Sequence, residues 1–435
     1  MIARIFAVIL GLSTPAWAEV DIQEVTSPGG ITAWLVQEPS IPFMALEIRF
    51  AGGASLDLPG KRGATHLMMA LLEEGAGERD ARAFAEAREG LAASFEFDAF
   101  DDSVSISAEF LTENRDASVA LLRDALNAPL FDEEAVARVK AQVTSSIRSD
   151  LKDPDEISSE TFFGLAFGDH PYGSTLEGPL ESVEALTPAD LETARINAMA
   201  LDRIHIGAVG DITAEELGPL LDTLLGDLPQ SGPPLAPQID FALPGGVTVV
   251  DFENPQSTVL FGHAGIERDD EDFFPAFIMM EILGGAGLSS RLSLEVREER
   301  GLTYGIGSYL VPKDLSAMVL GRVRSSNDSI AEAIEIVRGE WARMENEGIT
   351  EEELARTKTY LTGAYPLRFD GNSTIAGILA GMQQQDLDID YIATRNDKVE
   401  AVTLEDVNRV ASELLSADDL HFVVVGQPEG LASTN

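Results

Sequence analysis

Two local periodicities divide the first half of the chain into strands and helices. Residues 45–50 and 103–108 are rich in apolar and β-branched side chains, and the second segment alternates with a period of two, as half-buried strands do. Segment 64–72 is strongly apolar, and segments 117–128 and 133–150 carry apolar residues at helical spacing, which predicts three helices. This mixed order favours an α+β fold, with helices on one face of a mainly antiparallel or mixed sheet.

The second half of the chain repeats the first. The apolar segment 67–77 resembles 278–287, and helix starts of the form Thr-x-x-Asp at Thr187 and Thr403 each precede a buried strand pattern that ends in glycine. This internal duplication predicts two homologous domains. The predicted divisions are 19–228 and 246–430 for the domains, 229–245 for a Pro-rich linker and 431–435 for a tail.

The N-terminus has the three-part pattern of a secretory signal peptide. Arg4 precedes a short apolar run, and Ala16 and Ala18 supply the small residues of a cleavage site. The run is shorter than the roughly 20 residues that a membrane-spanning helix needs. We therefore expect residues 1–18 to be removed and the mature chain to be periplasmic, and a buried N-terminal strand is the alternative.

Composition excludes several classes of function. The formal net charge of −44 disfavours nucleic acids and anionic membrane surfaces as partners, because both would be repelled. It would suit basic peptides, or it could simply maintain solubility. The chain has no cysteine, which excludes thiol catalysis and cysteine-ligated zinc.

Candidate metal ligands are few. His66 lies on the first apolar helix, where the residues three and four positions later are Met69 and Ala70. A zinc site needs about three protein ligands, so His66 cannot form one alone. His205 and His421 lie in buried strand patterns at equivalent places in the repeat, which is typical of structural residues.

Three segments, taken together with the duplication, resemble the pitrilysin/insulinase family of zinc metallopeptidases. They are the helix entry 63–66, the loop 170–173 and the second-half run 289–304. Within this family the chain is most similar to short bacterial subunits of the mitochondrial-processing-peptidase type. The resemblance covers nearly all of the mature chain, and it implies the two-domain fold of that family and peptide substrates.

The zinc motif of the family is incomplete in this sequence. Active members carry His-x-x-Glu-His and a distal Glu, in which the histidines and the distal Glu bind zinc and the central Glu activates water. The resemblance places the first His at His66, but the base at Met69, the second His at Ala70 and the distal Glu near Ser146. Three of the four functions are lost, so we expect no metal and no cofactor in this chain.

The resemblance assigns an intact pair of accessory residues to the second half. Arg297 and Tyr304 match the Arg that holds the peptide substrate and the Tyr whose hydroxyl stabilises the oxyanion. Gly301 would provide the turn between them. The alternative is a surface salt bridge and a packed core tyrosine.

The resemblance also implies a strand that pairs with extended peptides by β-augmentation. Its carboxylates would suit basic peptides, although an acidic edge that prevents aggregation is an equal alternative. The strand comprises Phe95, Glu96, Phe97, Asp98, Ala99, Phe100 and Asp101.

The contrast between the halves suggests the role of the chain. We expect a non-zinc-binding subunit of a periplasmic heterodimeric zinc metallopeptidase, which is not an enzyme alone. A homologous sister chain with an intact His-x-x-Glu-His would hold the zinc, and this chain would supply Arg297 and Tyr304. The alternative is a catalytically inactive scaffold or peptide-binding protein of the same fold.

Overall fold

The first half of the chain forms a six-stranded sheet with its helices. A computed structural model describes residues 21–285 and 287–434, so the predicted signal peptide at 1–18 lies outside the described residues. The strands are β1 (Gln23–Thr26), β2 (Thr32–Gln37), β3 (Phe43–Ala51), β4 (Gly75–Ala76), β5 (Arg79–Asp80), β6 (Ser94–Ala99), β7 (Ser103–Leu111) and β8 (Ile204–Gly210). The helices are α1 (Ala64–Met69), α2 (Ala81–Gly90), α3 (Arg115–Asn127), α4 (Glu133–Asp150), α5 (Pro154–Phe167), α6 (Leu180–Ala185), α7 (Pro188–Ala198) and α8 (Ala214–Leu225).

The second half forms a five-stranded sheet with its own helices. Its strands are β9 (Gly246–Asp251), β10 (Gln256–Ala264), β11 (Ile306–Lys313), β12 (Ser316–Ser326) and β13 (His421–Gly426). Its helices are α9 (Phe273–Gly284), α10 (Ile330–Glu347), α11 (Glu351–Ala364), α12 (Asn372–Gln384), α13 (Tyr391–Ala401) and α14 (Leu404–Leu414). A π-helical turn at Ser293–Glu298 precedes β11.

The two sheets share one topology, which confirms the predicted duplication. The first has the strand order β1-β2-β8-β3-β7-β6, and the second, read from its other edge, has β9-β13-β10-β12-β11. In each sheet the last strand of the half lies parallel to one neighbour and antiparallel to the other. His205 pairs with Arg49 and His421 with Gly262, so both histidines occupy equivalent ladder positions.

Local sequence signals set several element boundaries. Thr187 and Thr403 form capping boxes with Asp190 and Asp406, as the sequence predicted. Helix α1 is shorter than the predicted 64–72, because the backbone N–H of Leu71 bonds to the residue three positions earlier and the chain turns out of the helix. The early turn exposes Ala70 on one side while Met69 stays buried.

Each sheet carries helices of its own half on one face and a helix from the other half on the opposite face. Helix α5 of the first half packs on β10 and β13, and α12 of the second half packs on β3 and β8. Because successive strand residues point to opposite faces, Leu260 contacts the α5 cluster around Phe162, while its neighbour Phe261 joins the second-half core. On the first sheet, Leu379 of α12 packs against Ala45 and Val209. The two halves are therefore joined by an exchange of equivalent helices.

The segment between α8 and β9 runs along the seam between the halves without helix or strand. Arg203 donates a hydrogen bond to the Pro233 carbonyl at 2.6 Å, and the Ile239 N–H donates to the Leu315 carbonyl at 2.9 Å. These bonds tie the proline-rich segment to both halves. Among the described residues, no helix has the length and apolar character needed to cross a membrane.

We predict that the surface of β8 against which α12 packs has no room for an extra methyl group at Gly207. A Cβ at Gly207 would lie 2.1 Å from the Ala376 carbonyl oxygen, so Gly207→Ala should lower the free energy of unfolding by about 1–3 kcal/mol. The matched control is Gly339→Ala on α10, where a Cβ meets open space and should raise stability by about 0.5–1 kcal/mol. Urea denaturation of both variants checks the pair, and a Gly207→Ala protein as stable as wild type would contradict this packing.

Candidate functional site

The four positions that the resemblance matches to the family's zinc site lie in unlike environments. His66 is half-buried on α1, and Met69 is only 1% exposed, within the first-half core. Ala70 is exposed after the end of the helix, and Ser146 is exposed on α4, which contacts α1. The described residues contain no group of three or more His, Cys, Asp or Glu side chains able to hold a metal ion, at His66 or elsewhere.

The two carboxylates that follow His66 most closely in sequence are held by arginines. Glu74 accepts two hydrogen bonds from Arg138, at 2.9 and 2.6 Å, and Glu73 forms an ion pair with Arg88. Bidentate arginine–carboxylate pairs are among the stronger polar contacts in proteins. Neither side chain is therefore positioned to replace the missing zinc ligands.

Arg297 and Tyr304 lie on a surface segment of the second half. Arg297 belongs to the π-helical turn, and its guanidinium lies 3.4 Å from the Glu298 carboxylate. Gly301 adopts a φ of 64°, in the left-handed region that favours glycine, as expected for the turn. Tyr304 is 91% exposed, so the alternative of a packed core tyrosine is wrong.

Buried polar contacts anchor both ends of this segment. Before the turn, Arg291 donates two hydrogen bonds to Glu353 on α11, at 2.8 and 2.9 Å, and a third to the Gly348 carbonyl at 2.9 Å. Burial opposes ionisation of Glu353, but the hydrogen bonds and charge of Arg291 outweigh it and lower the pKa of Glu353 to about 2. After the turn, the Thr303 hydroxyl donates to the Arg324 carbonyl on β12 at 2.6 Å.

Sequence reasoning missed these anchors, because Arg291, Glu353 and Thr303 are far apart in the chain. The signal available was that Arg291 and Thr303 lie within the matched run 289–304, together with the Thr350 helix start that precedes Glu353. The arrangement fixes the backbone on both sides of Tyr304 and leaves its hydroxyl in solvent. Such a group can donate a hydrogen bond to a ligand that docks on this surface.

The predicted peptide-binding strand is an edge strand, but it is shorter than expected. β6 ends at Ala99, so Phe100 and Asp101 belong to the turn that leads into β7. Within β6 the side chains alternate, with Phe95 buried and Glu96 and Asp98 exposed. The edge position would permit an added strand, with these two carboxylates beside it.

An open cleft between the two halves is a separate feature. Its volume is about 1280 Å³, and its walls carry more carboxylates than basic groups. Arg268 lies in it with its guanidinium 4.2 Å from the centre of the Phe273 ring and donates a hydrogen bond to the Tyr391 hydroxyl at 2.7 Å. The face of the Phe273 ring is therefore already covered by a cation of this chain, the guanidinium of Arg268.

Comparisons with known sequences agree with this duplicated architecture. The profile of the insulinase family (peptidase family M16) matches residues 33–180, and that of the peptidase M16 inactive domain matches residues 185–361. The chain belongs to the insulinase family, peptidase family M16. This confirms the resemblance, and the duplicated α+β fold is that of the family.

The insulinase-family relatives include proteins described as inactive. The non-peptidase homolog YmxG of Helicobacter pylori is 24% identical over 98% of both chains. A probable mitochondrial-processing peptidase subunit beta of Schizosaccharomyces pombe is 24% identical over 95% of this chain and 93% of its own. The crystal structure of a peptidase M16 inactive domain from Pseudomonas fluorescens superposes with a TM-score of 0.87 and 27% identity, covering 94% of this chain and 98% of the other.

We predict that the purified protein retains less than one zinc ion per chain after incubation with zinc and dialysis. His66 is the sole retained position of the motif, and Glu73 and Glu74 are engaged by arginines. Elemental analysis measures the ratio, and His66→Ala is the control that should leave it unchanged. Stoichiometric zinc that is lost in His66→Ala would contradict the assignment.

Proposed function

We propose that this chain is the non-zinc-binding subunit of a heterodimeric zinc metallopeptidase, exported to the periplasm. A homologous subunit with an intact His-x-x-Glu-His binds the zinc and activates water. This chain contributes Arg297 to substrate binding and the Tyr304 hydroxyl to the oxyanion. The proposal rests above all on one observation: an anchored surface segment presents Tyr304 at 91% exposure in a chain that lacks the zinc ligands.

The exposure of Tyr304 supports a role outside the fold of this chain. A tyrosine ring in water contributes little to stability, since hydrophobic stabilisation requires burial. The pair of buried Arg291 and partly buried Glu353 nevertheless holds the adjoining segment in place. Oxyanion donors act best when they are positioned before the substrate arrives, which such anchors achieve.

The first half supplies a second element of the proposal. An extended peptide adds to the edge strand β6, where Glu96 and Asp98 lie beside it and favour basic side chains. The net charge of −44 assists the encounter with such peptides. This half thus takes part in substrate binding although it holds no metal.

The non-peptidase relative from Helicobacter pylori favours one alternative, a catalytically inactive scaffold or peptide-binding protein of the same fold. In a scaffold, Tyr304 would contact a bound protein without taking part in chemistry. The mitochondrial-processing peptidase subunit from fission yeast instead supports membership of a proteolytic complex. The experiments below separate the two functions.

We predict that the protein co-purifies from the periplasmic fraction with a homologous zinc-bearing chain at one to one. A stable interface between such subunits should bury more than about 1,200 Å² in total. Affinity purification at native expression level, followed by mass spectrometry and elemental analysis, measures partner, ratio and zinc together. Recovery of homodimers alone would reject the heterodimer and favour the scaffold.

We predict that Tyr304→Phe lowers kcat of the assembled peptidase by roughly 10²–10³, the usual cost of one oxyanion donor. KM should change little, because the hydrogen bond forms mainly in the transition state. Arg297→Ala should also raise KM, because the guanidinium grips the substrate in the ground state. Steady-state kinetics of the reconstituted complex measure both effects.

The matched control for this prediction is Tyr309→Phe, which removes a hydroxyl from a half-exposed tyrosine on β11. It should leave kcat, KM, zinc content and assembly unchanged. A Tyr304→Phe complex that assembles, binds zinc and turns over at the wild-type rate would show that Tyr304 has no catalytic part.

A further inference from the structure

Two equivalent hairpin turns, one from each half, dock against each other at the seam. The turn between β11 and β12 contains Asp314 and Leu315, and the turn between β6 and β7 contains Asp102. The Asp314 N–H donates to the Asp102 carboxylate at 3.2 Å, and the Leu315 N–H donates to the Tyr172 hydroxyl at 3.0 Å. Tyr172 in turn donates its hydroxyl hydrogen to Asp102. One carboxylate and one phenol thus hold both backbone amides of the opposing turn.

Charges around this junction are unbalanced toward the acidic side. Lys313 forms an ion pair with Asp101 and lies 4.0 Å from the centre of the Tyr172 ring. Arg62 bonds to the same Asp101 at 3.1 Å and lies 3.9 Å from Asp57. The two cations are therefore directed mainly at Asp101 and Asp57. Asp102 and Asp314 are left beside each other with weaker compensation.

The crowding alters the protonation of these carboxyl groups. Burial raises the pKa of Asp102 above its ordinary value, against the hydrogen bond from Tyr172. Asp314 is an exposed residue, and the partial burial of its carboxyl together with the charge of Asp102 raises its pKa to about 6. From α12, Gln384 donates to Asp314 at 3.4 Å, while the charge of Asp386 adds repulsion. Docking of the turns thus favours the protonated carboxyl.

We propose that this docked pair of hairpin turns is a pH-sensitive latch between the halves, closed by proton uptake at Asp314 and loosened at neutral pH. The two turns and Tyr172 are its parts, and proton uptake removes the repulsion between Asp314 and Asp102. The latch adjoins the acidic cleft, because Pro312, Lys313 and Asp314 form part of its wall. Its state therefore sets how firmly that wall is held.

The direction of the effect follows from linkage between folding and protonation. The ordinary pKa of the Asp314 carboxyl is 3.8, and docking raises it to about 6. A group whose pKa is higher in the docked state contributes stability that is complete below the undocked pKa and is lost as pH rises through the docked pKa. The latch is therefore tightest in mild acid and weakest above about pH 7.

Two histidines lie near the junction, and their effect must be separated from that of Asp314. The His170 ring stacks edge-on against Tyr172 at 4.9 Å and accepts a hydrogen bond from the Tyr172 N–H at 3.2 Å. His205 lies in the cleft beside Asp386, and burial lowers the pKa of His205.

Hydrogen–deuterium exchange of the purified full protein tests the latch directly. The amides of Asp314 and Leu315 are themselves the docking donors, so peptides that cover this turn report its opening. Corrected for intrinsic exchange, their protection should rise about tenfold from about pH 7.5 to about pH 5, which is the linkage expected for the raised carboxyl pKa. Peptides in the α10 helix should show no such rise.

Three variants decide the origin of the effect. Asp314→Asn carries no titrating charge, so its turn should be protected at both pH values without the rise. Asp388→Asn removes an exposed carboxylate from the same cleft and should keep the wild-type rise. His170→Asn retains a side-chain acceptor for the Tyr172 N–H and should also keep it.

The following outcomes of the exchange experiment would contradict the proposal. Equal wild-type protection at both pH values would show that the junction does not respond to protons. A rise that persists in Asp314→Asn, or that disappears in His170→Asn, would assign the response to another group.

Discussion

The exchange of α5 and α12 between the halves is the constraint on which the structure depends. Each sheet has two apolar faces, and the helices of its own half cover only one of them. The second face is buried by a helix that arrives from the other half, through fully buried side chains such as Phe162 and Leu379. Full burial of each such side chain contributes about 1.5–3 kcal/mol. Neither half can therefore complete its core without the other.

This shared core also fixes what each half can offer to chemistry. In the first half, Met69, which the resemblance matches to the catalytic base, lies inside the apolar core, so a glutamate there would bury a charge among leucine and methionine side chains. In the second half, a partly buried ion pair holds Arg291 to Glu353, but Tyr304 lies in solvent. Within this short segment, Arg291 contributes to stability, while Tyr304 is left available to a ligand.

Local patterns predicted much of the fold. The bounds of α4 and both capping boxes follow from signals within a few residues, such as Thr187 facing Asp190, and the duplication follows from the recurrence of such signals in the second half. The early end of α1 after Met69 was not predicted, because the apolar run continues to Leu72 while the backbone turns. The end of β6 before Phe100 was not predicted for a similar reason. Acidic and aromatic residues continue through Phe100 and Asp101, although the hairpin turn has already begun there. An apolar pattern indicates which residues are buried, but buried residues also occur in turns, so the pattern alone does not locate the end of a helix or strand.

Contacts between distant segments left no comparable signal. The pairing of Arg291 with Glu353, and the docking of Asp314 on Asp102, join residues that no local period relates. The helix exchange was equally hidden, since α5 reads as an ordinary apolar helix whether it covers its own sheet or the other. The residues of the candidate site were assigned through family resemblance, whereas their anchoring left no local signal in the sequence that could have predicted it.

The acidity of the whole chain gives the junction its character. A net charge of −44 raises the cost of every further ionised carboxylate, and the cost is greatest where two turns exclude water. Salt screens the distant part of this repulsion, whereas the contact between Asp314 and Asp102 lies well within a Debye length. The two cations at the seam, Arg62 and Lys313, compensate Asp101 most directly. The two carboxylates with the weaker compensation, Asp102 and Asp314, therefore meet at the contact between the two halves.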